Sequence, residues 1–261
     1  MGLIFDIRSA QLYSAWSHSA QGRAMEKSIE VFLKGLLDPQ PGERVLDIGC
    51  GFGDHLLFLN QLGLDVSGVD ASPYMLSRAK ERLGHQCSLQ KGKAEDLPFE
   101  DNEFDLAIMI NTLEFLDDPL QALREAGRVT NRRIFIGVMN SLSWLCLRSK
   151  LQGFFRDSLL KHVRFYHLWQ LKSYIRAAFG PVPLTWRSSL LHPPLIGRGG
   201  IFAESRWNLG HWPIGPLLGI QIDIVYSLQT ENLSLKLGLE KPRQSTADGF
   251  TRGSVNSAKK G

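Results

Sequence analysis

A glycine-rich turn carries the residues of this chain that are best suited to ligand chemistry. Asp47 is followed at alternate positions by Gly49, Gly51 and Gly53, after the apolar run 44–48. Glycines let the backbone turn tightly and touch a ligand, because a Cβ atom would collide with it. A helical pattern of leucines follows, and the start of a helix presents unpaired N–H groups that hold a carboxylate or a phosphate. The turn is therefore a candidate site for a nucleotide-type ligand.

A second acidic residue narrows the choice of ligand. Asp70 ends the apolar run 65–70, where a carboxylate can accept hydrogen bonds from both hydroxyls of a ribose. A nicotinamide or flavin dinucleotide and S-adenosylmethionine both fit this arrangement. The dinucleotide fingerprint is Gly-x-Gly-x-x-Gly, however, and Asp54 stands at its third glycine position. The spacing therefore favours S-adenosylmethionine and leaves a dehydrogenase as a distant alternative.

Strands and helices alternate around this turn. The apolar runs predict strands at 44–48, 65–70, 86–90, 104–111 and 133–138, and two late strands at 184–190 and 219–228. Helical spacing predicts helices over 22–38, after Gly53, over 72–83 with Ser72 as N-cap and Pro73 at the first position, and over 119–129. Such alternation is typical of an α/β protein whose parallel sheet is covered by helices on both faces.

The motifs together resemble those of the class I S-adenosylmethionine-dependent methyltransferases. The chain is similar to the methyltransferase type 11 group, which includes the ubiquinone and menaquinone biosynthesis methyltransferases. The resemblance is carried, in chain order, by 47–53, 69–76, 94–99, Phe104-Asp105 and 123–129. It implies a Rossmann-like fold with a seven-stranded, mostly parallel sheet flanked by helices and a small helical cap. It also implies that the protein is an enzyme using S-adenosylmethionine.

The resemblance implies roles for individual residues. The cofactor-binding positions are Asp47, Gly49, Gly51, Gly53, Asp70, Ala71, Met75, Ala94, Glu95 and Asn111. Asp47 would orient the ammonium group of the cofactor, and Asp70 would accept from the ribose hydroxyls. Lys93 departs from the family, which commonly has Asp or Asn at this position. Asp and Asn can accept a hydrogen bond from the adenine amino group, whereas a lysine can only donate. This departure motivates one alternative hypothesis, a non-catalytic, S-adenosylmethionine-binding regulatory or scaffold protein.

The sequence assigns no catalytic residue. Methyl transfer from a sulfonium is an in-line displacement, so the protein mainly aligns the reactants and excludes water. A general base would help a phenol or hydroxyl acceptor. The candidate catalytic residues are Asn111, Glu114 and His167. The substrate-contact candidates are Tyr13, Trp16, Trp144 and Arg148, although the first two equally fit packing at the sheet edge. We expect a small, hydrophobic or phenolic acceptor. No spacing of His and Cys predicts a metal site.

The net charge of +4 conceals two oppositely charged regions. Residues 1–140 hold 14 basic and 20 acidic side chains, whereas residues 141–180 hold seven basic and one acidic. The basic region fits a cap helix with a solvated edge, a lid for an anionic substrate, or a helix in peripheral contact with a membrane. Nucleic acid is disfavoured as a partner, because no RNA-binding module or second basic stretch accompanies the region.

The chain organisation follows from these patterns. We predict an N-terminal cap segment (1–21), an S-adenosylmethionine-binding core (22–140), a cap region with the last strands (141–239) and a polar, disordered tail (240–261). Three cysteines without a CxxC spacing indicate neither disulfides nor zinc. Without a signal-peptide pattern or an apolar run of about 18 residues, a cytoplasmic protein is expected, at most peripheral to a membrane. The oligomeric state is not indicated.

Overall fold

A computed structural model describes residues 3–143, 146, 164–189 and 212–224. The strands are β1 Arg44–Ile48, β2 Asp65–Asp70, β3 Ser88–Lys91, β4 Phe104–Ile110, β5 Thr130–Met139, β6 Leu184–Ser188 and β7 Leu217–Asp223. The helices are α1 Ile7–Ser17, α2 Ala20–Phe32, α3 Asp54–Gln61, α4 Pro73–Leu83, α5 Pro119–Val129 and α6 Leu168–Phe179. A π-helical turn, Leu33–Leu37, extends α2, and a 3₁₀ turn, Leu113–Phe115, follows β4.

The strands form one sheet in the order β3-β2-β1-β4-β5-β7-β6. Pairing is parallel from β3 to β5, and β7 runs antiparallel to both β5 and β6. This confirms the predicted seven-stranded, mostly parallel sheet. The chain leaves β1 towards β2 on one side and returns to β4 on the other, so the connections diverge between β1 and β4. Ligands of open α/β sheets bind at the carboxyl ends of strands at such a point.

Helices cover both faces of the sheet because alternate strand residues are apolar on both sides. Val45 packs in a buried cluster with Ile29 of α2, whereas its neighbour Leu46 packs in a second cluster with Leu123 of α5. Each Å² of apolar surface buried on folding stabilises the protein by about 25 cal/mol. Burial of these two clusters is therefore the main favourable contribution to folding. The predicted two-sided burial of a parallel sheet is confirmed.

Local signals set several helix ends where they were predicted. The Ser72 side chain accepts from the backbone N–H of Met75 at 3.3 Å, and Pro73 occupies the first turn of α4. The helix that includes α2 and its π-helical turn ends at Asp38, which has a φ of 45°. Such caps satisfy the backbone groups that a helix end leaves without intrahelical partners.

The last strands differ from the sequence expectation in their bounds. β5 begins at Thr130 rather than at 133, because Thr130 already pairs with Phe104 of β4. Two arginines inside this stretch, Arg132 and Arg133, form ion pairs with Glu43. The strands β6 and β7 are Leu184–Ser188 and Leu217–Asp223 rather than 184–190 and 219–228. β7 therefore begins two residues earlier than hydropathy predicts, and its first residue, Leu217, pairs with Met139 at the end of β5.

Part of the predicted cap lies outside the described residues. Trp144, Arg148 and His162 are in this group, as is the 240–261 tail predicted to be disordered. Of region 141–180, the structure describes 141–143, Cys146 and 164–180. No helix within the described ranges has the length and apolar character needed to cross a bilayer.

The packing behind the glycine turn generates a first prediction. A Cβ atom added at Gly53 (φ 76°) would lie 2.5 Å from Cδ1 of buried Leu83, whereas one added at Gly42 (φ 86°) would meet nothing within 4 Å. Both alanine variants adopt a left-handed conformation at a cost of about 1–2 kcal/mol. Gly53→Ala should lower the free energy of unfolding by about a further 1–3 kcal/mol through overpacking. Urea unfolding measures the free energy of unfolding of the two variants, and an equal decrease for Gly53→Ala and Gly42→Ala would contradict the prediction.

Candidate functional site

A cavity opens at the carboxyl ends of β1, β2 and β4, where the connections diverge. It encloses about 810 Å³ of empty space, part of it open to solvent. Eight of the residues predicted from sequence line it, namely Tyr13, Gly49, Gly51, Asp70, Ala71, Met75, Ala94 and Asn111. Its lining combines apolar side chains with a few polar groups, which is the usual character of a small-molecule site.

The three glycines of the turn serve three different purposes. A Cβ atom at Gly49 would lie 2.5 Å from Oγ1 of Thr112, so only glycine lets the turn approach β4 this closely. A Cβ atom at Gly51 would meet nothing within 4 Å, although Gly51 lines the cavity. Gly53 packs against Leu83 and does not line the cavity. The open space in front of Gly51 is therefore where the backbone is exposed to a ligand.

Asp70 connects the turn to β2. Its Oδ2 accepts from the backbone N–H of Gly51 at 2.9 Å, and its Oδ1 accepts from that of Ser72 at 2.7 Å. Burial raises the pKa of Asp70, and these two hydrogen bonds oppose the rise. Each carboxylate oxygen keeps a further lone pair. The carboxylate can thus hold the turn and still accept from a ligand hydroxyl.

Behind the turn, a histidine lies between two carboxylates. His55 Nδ1 is 3.7 Å from Oδ2 of Asp47, and its Nε2 is 3.3 Å from Oε2 of Glu26. Burial alone would lower the pKa of His55, but Asp47 and Glu26 outweigh it and raise the pKa to about 10. Asp47 is 1% exposed, and its oxygens accept no hydrogen bond from the described residues. Asp47 does not itself line the cavity, whereas His55 does.

Sequence reasoning did not identify His55. The available signal was its place in the first turn of α3, beside the strand that carries Asp47. A histidine in that turn has no significance until the fold shows that Glu26 of α2 approaches it from the other side. The pairing joins residues that are 29 positions apart in the chain.

Asn111 provides the second polar group of the cavity. It has a φ of 50° directly after β4, and its backbone N–H donates to Gly137 O at 2.8 Å. Asn111 is only 8% exposed, yet neither atom of its side-chain amide has a hydrogen-bond partner among the described residues. Burying an amide without partners costs free energy, so this group indicates a ligand contact.

The N-terminal segment forms an aromatic wall of the cavity. Leu3 N–H donates to Phe115 O at 2.9 Å, and the Ser72 hydroxyl donates to Phe5 O at 2.5 Å. The ring of Phe5 packs against those of Phe115 and Tyr13, with centroids 5.0 and 5.9 Å away. These contacts fix the segment against the cavity mouth.

Tyr13 and Trp16 have different positions. Tyr13 lines the cavity, and burial, with the carboxylate of Glu26 next, raises the pKa of its hydroxyl. Trp16 packs against Tyr13 at 5.8 Å and joins the core cluster that contains Phe32, without lining the cavity. Of this pair, therefore, only Tyr13 is placed to contact a ligand.

Glu114, predicted as site lining, lies behind the cavity rather than on its surface. It is 1% exposed, and its Oε1 accepts from the Met139 N–H at 2.7 Å. Its Oε2 has no hydrogen-bond partner in the described part of the chain. Burial raises the pKa of Glu114 to about 8, with the hydrogen bond from Met139 opposing. Glu114 is therefore a buried, largely protonated acid at neutral pH.

Three other candidates do not line the cavity. His167 is the N-cap of α6, where its Nδ1 accepts from the Gln170 N–H at 3.1 Å. Glu95 accepts from the Asp117 N–H at 3.2 Å. Lys93 also lies off the cavity, while its neighbours Gly92 and Ala94 line it. Within the described ranges, no group of three His, Cys, Asp or Glu residues could hold a metal ion.

The sheet order, the glycine turn and the acid at the end of β2 define a Rossmann-like class I methyltransferase fold. Residues 46–133 match the family model described as a methyltransferase domain, so the chain carries such a domain. This confirms the resemblance recognised in the motifs.

Individual relatives agree with this class. The chain is 50% identical over 66 residues to the uncharacterized methyltransferase sll0829 of Synechocystis, a match covering 25% of this chain and 31% of that protein. It is 32% identical over 130 residues to the chloroplastic tocopherol O-methyltransferase of Arabidopsis thaliana, covering 46% and 37%. The chain therefore spans about a third of the length of these relatives.

Solved structures extend the likeness beyond the domain. An S-adenosylmethionine-dependent methyltransferase from Thermotoga maritima, described as a possible histamine N-methyltransferase, superposes with a TM-score of 0.66. The match covers 84% of this chain and 97% of that one, at 24% identity. Identity at this level establishes the fold and does not transfer an acceptor.

Glu114 generates a prediction for the stability profile. Its folded-state pKa of about 8 exceeds the ordinary 4.5, so its stabilising effect is complete below pH 4.5 and declines as the pH rises towards 8. In the Glu114→Gln variant the titrating carboxyl group is absent, so the stability of the variant does not show this decline. The Tm of the variant minus that of the wild type should therefore increase between pH 4.5 and pH 8 and then level off. Thermal melts across this range test it.

The matched control for this experiment is Glu30→Gln, which removes an exposed carboxylate of α2. Its Tm difference from wild type should stay flat over the same range. A flat difference for Glu114→Gln as well would show that Glu114 is ionised in the folded protein.

Proposed function

We propose that the protein binds S-adenosylmethionine in this cavity and transfers its methyl group to a small-molecule acceptor. The observation that carries the proposal is a pair of buried polar side chains with unused hydrogen-bonding atoms, Asp47 and Asn111. They lie at the ends of neighbouring strands on either side of the glycine turn. Buried polar groups without protein partners are explained when a ligand completes them.

The residues that line the cavity, together with Asp47 beside it, offer donors and acceptors that match the parts of this cofactor. The carboxylate of Asp47 has the charge and free acceptor sites for an ammonium group. The remaining lone pairs of Asp70 suit the ribose hydroxyls. Ala71, Met75 and Ala94 offer an apolar surface for the adenine. The space in front of Gly51 admits the close backbone approach that a Cβ atom would block.

The chain's own residues then have two tasks. The cofactor supplies an electrophilic methyl group on a sulfonium, so no proton donor is required for its release. The aromatic wall of Phe5, Tyr13 and Phe115 excludes water from the cavity mouth and orients an incoming acceptor. Asn111, at the end of β4, is the polar group best placed to hold the acceptor or the cofactor there.

The character of the cavity mouth favours a hydrophobic or phenolic acceptor. Leu3, Ile4 and Leu116 line the cavity beside the aromatic wall. Two relatives are named for apolar small molecules, the tocopherol O-methyltransferase above and a cycloartenol C-24-methyltransferase of Oryza sativa. Peripheral membrane contact through 141–180 and a cytoplasmic location remain predictions from the sequence.

A non-catalytic cofactor-binding protein is the alternative. The fold by itself does not require methyl transfer, since one structure that resembles this chain, with a TM-score of 0.51, is named as a [4+2]-cyclase, SpnF. Lys93 motivated this alternative, but its side chain does not line the cavity, so it offers no obstacle to adenine.

Cofactor binding is tested most directly at Gly51. A Gly51→Ala variant keeps a φ of 53° in open space, so it should fold, but its methyl group occupies the space facing a ligand. We expect isothermal titration of S-adenosylhomocysteine to show at least about tenfold weaker binding, since each 1.4 kcal/mol is worth a factor of ten. Gly42→Ala, outside the cavity, is the control and should bind like the wild type. Wild-type protein that binds neither S-adenosylmethionine nor S-adenosylhomocysteine would sink the proposal.

The acceptor class is tested with methyl-labelled S-adenosylmethionine and a fractionated cell extract. Small molecules that gain one labelled methyl group, detected by mass spectrometry, are the expected result. Label found only in macromolecules would refute the small-molecule acceptor. Cofactor binding with no transfer to any fraction would favour the non-catalytic alternative.

A further inference from the structure

His55 is a cavity residue for which the motifs give no role. It begins the first turn of α3 next to Asp54, and its ring lies between the carboxylates of Glu26 and Asp47. The three side chains belong to three different elements, α2, α3 and β1. The ring is 11% exposed and borders the cavity.

The charges around His55 explain why the ring is needed. Glu26 faces it from α2 and Asp47 from β1, Tyr13 of α1 lines the same cavity, and Asp54 on its own helix forms an ion pair with Arg82. Without a cation at position 55, the carboxylates of Glu26 and Asp47 would face each other across a buried gap. Like charges in such a place repel strongly, because little water screens them.

The distances show that His55 leaves Asp47 partly unoccupied. At 3.7 Å, the contact between Nδ1 and Oδ2 is an ion pair longer than a hydrogen bond. Both oxygens of Asp47 therefore retain acceptor sites, although the residue is 1% exposed. One cation against two carboxylates leaves the cluster with one net negative charge, which is the complement of a single ammonium group.

We propose that His55 is a positioning residue for the cofactor: held as an imidazolium between Glu26 and Asp47, it orients the Asp47 carboxylate towards the ammonium group of the ligand. This inference rests on the proposed function, because it assumes that the cavity holds S-adenosylmethionine or its product. It also gives α2 a part in the site, since Glu26 forms an ion pair with Nε2 of the ring. Residues that orient a binding group in this way commonly change affinity by about 10–100-fold when removed.

Two ligands separate positioning from general damage to the cavity. S-adenosylhomocysteine carries the ammonium group, whereas 5′-methylthioadenosine shares its adenosine thioether and lacks the amino acid part. Isothermal titration with both should show His55→Gln binding S-adenosylhomocysteine at least about tenfold more weakly. The variant should bind 5′-methylthioadenosine, titrated to millimolar concentration, within about twofold of the wild type.

Two further variants complete the experiment. Glu26→Gln keeps His55 but removes its outer carboxylate, so it should weaken S-adenosylhomocysteine selectively by about threefold. It is also the variant to use if His55→Gln fails to fold, because Glu26 is 24% exposed. His85→Gln, which changes an exposed histidine of the 84–87 loop, should leave both affinities unchanged.

Each outcome decides the inference. Equal weakening of both ligands by His55→Gln would make the residue structural, and unchanged affinities would remove it from the site. Wild-type protein that binds neither ligand would overturn the proposed function, and this inference with it. Wild-type binding with a selective loss in the variants supports both.

The charged state of His55 has its own readout. Its folded-state pKa of about 10 exceeds the ordinary 6.5, so the stabilisation is complete below pH 6.5 and is lost as the pH rises through about 10. The Tm advantage of the wild type over His55→Gln should therefore shrink between pH 6.5 and pH 10. An advantage that stays constant across this range would show that the ring is neutral and would overturn the imidazolium proposed here.

Discussion

The hydrogen bond from the Gly51 N–H to Asp70 is the contact on which the site depends. It joins the glycine turn to the end of β2, and the second oxygen of the same carboxylate holds Ser72, the N-cap of α4. Because one side chain accepts from both segments, the turn, the strand end and the helix start keep a single relative arrangement. The positive φ of Gly51 is what allows its N–H to point back to Asp70 while its other side remains open. The backbone of the turn therefore already has the conformation in which it would contact a ligand.

Buried charge is the second organising feature of the molecule. Asp47, Asp70 and Glu114 all lie near the carboxyl ends of the central strands, and the protein stabilises each differently. Backbone N–H groups hold Asp70, a histidine cation accompanies Asp47, and a proton neutralises Glu114 at neutral pH. These solutions have different consequences for function. Of these three, Asp47 is the charged carboxylate whose oxygens accept no hydrogen bond from the described residues, which is the combination that a cationic ligand requires.

The N-terminal segment completes the cavity from outside the sheet. Its contacts are with the turn after β4 and with the N-cap of α4, so it joins the β2 and β4 ends of the cavity. Phe5, Tyr13 and Phe115 supply rigid surface at small conformational cost, because each aromatic side chain has only two rotatable bonds. The same wall therefore limits the shape of the cavity mouth.

The sequence by itself determined the alternation of strands and helices, the glycine turn and the acid after β2. These features are local, since hydrophobic periodicity, glycine spacing and the Ser72-Pro73 cap each act within a few residues. Its motif spacing pointed to Gly51 and Asp70, and the family resemblance that these motifs carry implied Asn111. The start of β5 was less accessible, because polar residues 130–133 join the strand through backbone pairing with β4, which begins at Phe104.

Only the tertiary structure decided which candidates share the cavity. It separated Tyr13 from Trp16, placed Glu114 behind the cavity, and gave His167 the role of a helix cap. It also brought Glu26, Asp47 and His55 together from three elements. Burial and charge pairing are properties of the packed chain, and no local pattern encodes the meeting of side chains from α2, β1 and α3. The physical reason is that the packing of those elements excludes water. Only then is the pKa of His55 raised, and only then do the oxygens of Asp47 lack hydrogen-bond partners.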